Sequence, residues 1–586
     1  MDNIEGLNYN YSDKLAVKDI VFTPEKGVKL KDGLFKKVFD NNVEFLKTLS
    51  LDSMLFWFKR RAGKPAAGEP YRGHFEDNIK GQTAGMYLMG AGNALRWYSD
   101  DQLQSTVEMI VDCIEECSEP DGYIMAVPKR TFPTKEYPHY VRIWLNYGLI
   151  AAGLSGNSKA YGILRKWQDW FNNCGELPII KYLELAFQGI VASTSVYTTP
   201  VGVWSDIEIA RKYYEEDWRL AQFIAKEKDA VHIRKQPGYE PHAHGTELES
   251  FEGYLDLYRV TGNYYYLNAV MGAYELYKRD WQHPGGGIVM CEFLDAYPGC
   301  YWISPKKPYN ELCCTSFWMH LNQRLHRLYP DEEEYVSEIE KSIYNIAIAN
   351  QDGSKGIRYF AHLEQQKPKS GNITCCCGVG TRIYGSLPEY LYSVSPDSLY
   401  VNIYAASEIN WQREKEMVTV TTETDMPYDN SVRISLSLCA PQEFAIKLRV
   451  PSWISEKIEI KINGDMMVEG IPGTYHTLKR LWKDGDTIEF KLPMSFRYKK
   501  YTGAEQINGF SRYSFGYGPL LYAVKGDLNY NQSIYLKCKP ENVSNWALPL
   551  EKPLSYAIKG NDGYEFVPYF EISNDTFTCF PLFEKI

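Results

Sequence analysis

The 586-residue chain has no apolar run of the roughly 18 residues that a membrane-spanning helix needs. It has no long run of Lys and Arg, and 64 basic against 74 acidic residues leave a net charge of −10. That balance argues against a nucleic-acid surface. The first residues, Met1-Asp2-Asn3-Ile4-Glu5-Gly6, lack the basic and apolar regions of a signal peptide. The expected location is the cytoplasm, or the periplasm or exterior if a leader has been removed. No phosphate-cradling GxxxxGK[ST] loop, no GxGxxG after a strand and no GxSxG elbow is found, so the nucleotide-binding and serine-hydrolase classes they mark have no support. There is no strict internal repeat. The 13 cysteines are odd in number, and Cys113, Cys174, Cys439 and Cys579 are scattered, unlike a secreted disulfide framework.

What the chain does have is two tight cysteine clusters. One is Tyr309-Asn310-Glu311-Leu312-Cys313-Cys314, and the other is Cys375-Cys376-Cys377-Gly378-Val379-Gly380. Thiolate sulfur and carboxylate oxygen are zinc donors, and four such groups close a tetrahedral site. Soft sulfur favours zinc over magnesium or calcium. Glu311, Cys313, Cys375 and Cys376 are therefore the candidate zinc ligands, against the plainer reading of buried thiols acting as small apolar residues. A closed four-ligand site would be structural, whereas a catalytic one keeps a position open. Glu311 and Cys313 are expected in the loop or first turn before a helix. The two glycines after the second cluster suit a tight turn.

A chain of this length exceeds one core and implies several domains. Its character changes near residue 385. Before it, apolar residues recur at three- and four-residue spacing, as in Leu34 to Leu49, Ala84 to Trp97, Leu103 to Cys117, Ile143 to Leu154, Leu248 to Thr261 and Thr315 to Leu328. About a dozen such helices in hairpin pairs fit a closed α/α toroid, with an open solenoid as the competing architecture. After it, alternating stretches such as Val432 to Leu436, Phe444 to Val450 and Ile458 to Ile462, with turns at Asn463-Gly464 and Asp484-Gly485, predict antiparallel β-sandwich structure. The expected division is 1–28 as a strand segment packing on a β-domain, 29–388 as the helical domain, 389–505 as a sandwich and 506–586 as a second β-rich domain. The strand is expected around Val17 to Val28.

Other groups could carry chemistry. Glu292 follows the loop Gly285-Gly286-Gly287, and glycosidases need a proton donor and a nucleophile flanking the bond. His242 and His244 form a His-x-His pair that can bind metal, contact a sugar, or simply be satisfied in the loop leading to a helix. Aromatics reach 15%, which suits either sugar stacking or a large aromatic core.

The Tyr309, Glu311, Cys313 pattern followed by Cys375, Cys376, Gly378 and Gly380 resembles glycoside hydrolase family 127 and its close relatives, which include the β-L-arabinofuranosidases. Leu30 to Phe35, Gly81 to Leu88, Phe444 to Trp453 and Arg480 to Asp486 extend the resemblance over most of the chain. It implies an (α/α)6 barrel with C-terminal β-sandwich domains, zinc on Glu311, Cys313, Cys375 and Cys376, Cys375 as nucleophile and Glu292 as acid/base. Activity would be that of a retaining exo-glycosidase on an oligosaccharide or glycoconjugate, with release of β-L-arabinofuranose as the first reading. A homodimer is the expected assembly. Gln82 and Met86 stand where the family often has histidines, and Cys377 leaves Cys376/Cys377 as an alternative register. Arg142 falls where sugar contacts are expected, with His242 and His244 as further contacts. An arginine clamps carboxylates bidentately, so an acidic pectic sugar is the second reading. A polysaccharide lyase on the same toroid and a carbohydrate-binding protein with structural zinc are the remaining alternatives.

Overall fold

The computed structural model describes residues 14–585 apart from 73–78, 136, 178–188, 216, 218, 228–229, 231–244, 290–309, 372–373, 414–415 and 504. Six helices form an inner ring: α1 (Gln82–Leu95), α2 (Tyr137–Leu154), α3 (Gly189–Tyr197), α4 (Gly245–Thr261), α5 (Leu312–Leu328) and α6 (Cys375–Gly385). Each packs on the next, and α6 packs back on α1, so the ring is closed rather than an open solenoid. Helices Leu34–Lys47, Asp101–Glu116, Ser158–Asn173, Trp204–Tyr214, Tyr264–Asp280 and Glu333–Ser342 cover it from outside.

The two layers differ because their surroundings differ. An inner helix is enclosed on all sides and can be apolar or small all round. Every residue from Gln82 to Ala94 of α1 is buried, as is every residue of α3. The outer helix Asp101–Glu116 buries one stripe, with Leu103, Val107, Ile110, Val111 and Ile114 inward. Small residues set how closely the inner helices approach. A Cβ on Gly85 would stand 2.6 Å from the Trp144 carbonyl carbon of α2, and one on Gly90 2.2 Å from Thr381 Oγ1 of α6.

Past the ring come three sheets. A seven-stranded antiparallel sheet runs Val28–Leu30, Ser407–Arg413, Glu416–Glu423, Ser431–Leu438, Thr487–Lys491, Ile458–Ile462, Asp465–Gly470. A four-stranded sheet, Thr474–Trp482, Gln442–Val450, Ser398–Val401, Tyr392–Val394, contains one parallel pair, between Ser398–Val401 and Gln442–Val450. The third is built on Phe496–Lys500, Phe510–Tyr517, Leu520–Lys525 and Glu565–Pro568.

The N-terminal strand is short, Val28–Leu30, and lies later than its sequence pattern suggests, because Pro24 and the left-handed Gly27 (φ 86°) interrupt the alternation. The preceding segment is held by isolated backbone bonds, such as Phe22 N to Val394 O (2.7 Å), and by charge, where Asp19 pairs with Arg259 of α4 at 2.6 Å.

Charged side chains also join the ring to the sheets. Arg449, fully buried on its strand, reaches Glu333 (2.7 Å) and Glu340 (2.6 Å) of the outer helix Glu333–Ser342. That helix continues into a π turn at Ile343–Ala347. There Asn345 donates to Pro519 O (3.0 Å) and accepts from Leu521 N (2.7 Å), tying it to the third sheet.

Candidate active site and metal centre

In the ring an outer helix returns the chain between successive inner ones, so the inner N-termini gather at one mouth. The two cysteine clusters meet there. Asn310 takes a left-handed φ of 72°, and Glu311 follows as the N-cap of α5. Leu312 N donates to Tyr359 O (3.1 Å) and Ala361 N to Asn310 O (3.1 Å), so the stretch 359–361 runs beside the first cluster. The second cluster is not a turn. Cys375 opens α6, and Thr374 caps it by accepting from Cys377 N at 3.4 Å. Its glycines serve packing, since a Cβ on Gly378 would lie 2.4 Å from Met86 Sδ and 2.6 Å from Met86 Cβ.

Ligand atoms of Glu311, Cys313 and Cys376 lie within 4.8 Å of one another, and all three residues are buried. Cys313 Sγ is 3.4 Å from Glu311 Oε2, and the Cys313 N–H points at Cys376 Sγ at 3.5 Å. Cys375, the fourth expected ligand, is not part of that group, but its thiol hydrogen-bonds with Cys313 and stands 3.1 Å from the Tyr359 hydroxyl. Cys377 turns away: its thiol donates to Ile357 O at 3.3 Å and takes a hydrogen bond from Thr374 Oγ1 at 3.2 Å.

The clustered donors act on one another's pKa values. Hydrogen bonding with Cys314, then with Cys375 and Cys376, pushes the Cys313 thiol well above its ordinary pKa. Burial, then the neighbouring thiols and Glu311, does the same to Cys376, against the opposing hydrogen bond with Cys313. Burial, then the charge of Cys375, raises the Tyr359 hydroxyl. No Lys or Arg is among the groups that act most strongly on the three. A buried set of sulfurs and a carboxylate within 4.8 Å of one another fits a divalent metal, which such donors bind as anions.

The other expected site residues fall elsewhere. Glu292, His242 and His244 lie outside the described residues. The turn before Glu292 is described: Val289 N bonds to Trp281 O (2.7 Å), and a Cβ on Gly287 would stand 2.2 Å from Thr315 Oγ1 in the first turn of α5. Thus the chain leaves for Glu292 from beside the helix that carries Cys313. Arg142 is fully buried in the ring wall. It donates to Ser193 Oγ (3.0 Å) and Gly189 O (2.6 Å) of α3 and stacks on Phe171, 3.7 Å from the ring centre. These contacts join α2 to α3 and leave sugar binding by Arg142 without support. Gln82 and Met86 are buried in α1, with Gln82 Nε2 3.4 Å from Met86 Sδ. Tyr359 is the site residue that sequence reasoning missed. It belongs to neither cluster, and no motif marks it.

The GH127 β-L-arabinofuranosidase catalytic-domain model matches residues 27–389, and the middle-domain model of the same family matches 398–494. The chain belongs to glycoside hydrolase family 127. Among solved structures, a GH127 β-L-arabinofuranosidase from Geobacillus stearothermophilus T6 is 18% identical with a TM-score of 0.75, covering 95% of this chain and 100% of its own. A GH127 β-arabinofuranosidase is likewise 18% identical with a TM-score of 0.75, covering 98% and 99%. A third, described as a glycoside hydrolase, is 15% identical with a TM-score of 0.70. At these identities the likeness establishes the shared fold. No curated protein matches the GH127 chain by sequence. Among its described residues, no helix is long and apolar enough to cross a membrane.

Proposed function

We propose that this GH127 enzyme is a zinc-dependent, retaining exo-glycosidase that releases β-L-arabinofuranose from plant-type glycans, with Cys375 as nucleophile. The observation that carries the reading is the juxtaposition of Cys375 Sγ with the buried Glu311, Cys313 and Cys376 donor cluster. Glu311, Cys313, Cys375 and Cys376 would hold the zinc. When bound, zinc supplies the positive charge that keeps these thiols ionised at neutral pH. Cys375 Sγ attacks the anomeric carbon as the glycosidic C–O bond breaks, and Glu292 gives its proton to the leaving oxygen. Water, deprotonated by Glu292, then displaces the sulfur and returns Cys375 as thiolate. Two successive inversions retain the configuration. The substrate assignment rests on family membership. Arg142, the residue that would favour an acidic terminal sugar, is committed to the wall, so no second substrate reading is carried.

Two measurements test this. Elemental analysis should find about one zinc per chain, and its removal by a chelator should abolish hydrolysis. NMR of an aryl β-L-arabinofuranoside reaction should show the β-anomer first. An active metal-free protein contradicts the zinc assignment, and initial appearance of the α-anomer contradicts Cys375 as nucleophile.

A further inference from the structure

We infer that the end of the ring away from the cysteine clusters holds a binding site for a small, doubly charged oxyanion, a phosphate or dicarboxylate, with Arg382 and Arg327 in its wall. This goes beyond the proposed hydrolysis and does not depend on it. The site is a cavity of about 250 Å³. It is lined from the C-terminal halves of all six inner helices, whereas the cysteine clusters sit at the N-terminal ends of α5 and α6. The segment 14–25 supplies a further wall. It is held by Val17 N bonding to Arg259 O (2.9 Å) and Ile20 N to Arg327 O (2.8 Å). A single water needs about 10–15 Å³, so a polyatomic anion has room.

Six cations and three carboxylates line the cavity, in a chain whose net charge is −10. Four of the cations are committed elsewhere. Arg96 pairs with Glu389 (2.7 Å), Arg259 with Asp19 (2.6 Å) and Arg324 with Glu252 (2.6 Å), and Lys14 donates to Gly202 O (2.8 Å). The other two, Arg327 and Arg382, have no carboxylate partner among the described residues. Arg327 donates from Nε to Thr23 Oγ1 at 3.3 Å and makes no other side-chain hydrogen bond among them. Arg382 makes none at all; its guanidinium lies over the Tyr147 ring, 4.5 Å from the centre. Both arginines are partly exposed and line the cavity, so a molecule inside it can reach them. Helix C-termini attract cations, which accounts for arginines gathering at this end. It does not account for two guanidiniums that bond no carbonyl there, as Arg96 does with Glu25 O (3.0 Å). A guanidinium presents a planar fork of N–H donors that matches carboxylate or phosphate oxygens bidentately. Two such forks without anionic partners suit an oxyanion with two negative charges.

The test is calorimetric titration of the intact protein with inorganic phosphate and, separately, with malonate, against chloride at matched ionic strength. Saturable binding of phosphate or malonate is expected, at least tenfold tighter than chloride and accompanied by a rise in melting temperature. Tighter phosphate identifies a phosphoryl ligand, and tighter malonate a carboxylate one. Arg382→Gln and Arg327→Gln should each weaken the binding at least fivefold. Arg382→Lys keeps the charge without the fork, guards against loss of folding in the other two, and should weaken it at least threefold. Melting temperatures without anion check that each variant folds. No saturable binding, binding no tighter than that of chloride, or binding unchanged in the folded variants would each overturn the inference. The last result is the one that phosphate held at the cysteine clusters would give.

Discussion

The Tyr359 hydroxyl stands 3.1 Å from Cys375 Sγ, and a partner this close to the proposed nucleophile would orient it. Tyr359→Phe should fold normally and lose about tenfold in kcat, equivalent to ~1.4 kcal/mol, with its metal content unchanged. Steady-state kinetics and elemental analysis check both halves. Glu249 of α4 is a different kind of residue: fully buried, with neither carboxylate oxygen hydrogen-bonded among the described residues. Burial first, then the charge of Glu252, holds its pKa well above the ordinary range, against Arg382 and Arg324. Above the ordinary carboxylate pKa the unfolded chain therefore binds fewer protons than the folded one, so this group lowers stability as pH rises. Glu249→Gln should raise the melting temperature more at pH 7 than at pH 4, which calorimetry at the two values reads directly. Glu311, Cys313 and Cys376 were legible in the sequence because soft donors in short clusters are a chemical pattern whatever the fold. Tyr359 was not, because only the pairing of the stretch 359–361 with Asn310 and Leu312 brings it to the thiols. The packing of Arg142 against α3 and Phe171 was not legible either, because its position along α2 says nothing about whether it faces the axis or the outer layer.

Helix α6 decides whether the two halves of the donor set meet. Its second-cluster glycines read as a turn in the sequence, yet Gly378 is where α6 touches Met86 of α1 and Gly380 where it touches Leu312 of α5 and Ile357. A methyl group at Gly378 would collide with Met86 at Cβ and Cγ as well as at the mobile sulfur, so repacking the side-chain tip cannot relieve it. Gly378→Ala should destabilise by about 1–3 kcal/mol and displace Cys375 and Cys376 from Glu311 and Cys313. The expected result is a lower melting temperature together with weaker zinc retention in a chelator competition; a stable variant that holds zinc normally would contradict it. Amphipathic elements were readable throughout: Asp101–Glu116 buries the stripe its spacing predicts, and Ser431–Leu438 alternates as expected. Helix α3 was not, because Gly189-Ile190-Val191-Ala192-Ser193-Thr194-Ser195-Val196-Tyr197 is buried on every side and rich in β-branched residues. Without a polar face it carries no helical period.

At the scale of the whole molecule, the change of pattern near residue 385 made a helical domain followed by sheets legible, and closure of the ring follows from six enclosed helices that need neighbours on both sides. The joints between ring and sheets were not legible, since Arg449 and Glu340 are more than a hundred positions apart. Arg449 bridges Glu333 and Glu340 across that joint with bonds of 2.7 and 2.6 Å, beside Ser452 N to Glu333 (3.3 Å) and Trp453 Nε1 to Glu340 (2.8 Å). Arg449→Met would leave two buried carboxylates with neutral donors but without the cation that pairs with both, and should destabilise the protein by ~3–5 kcal/mol, seen as an earlier transition in thermal unfolding. The account as a whole stands on Cys375 being the group that attacks the sugar. The direct measurement is to trap the protein with an L-arabinofuranose-configured cyclophellitol-type epoxide and locate the label by peptide mass spectrometry. The account predicts a single label on Cys375. Label on Cys376 or Cys377 would contradict the register, and label on a carboxylate would contradict the thiol mechanism itself.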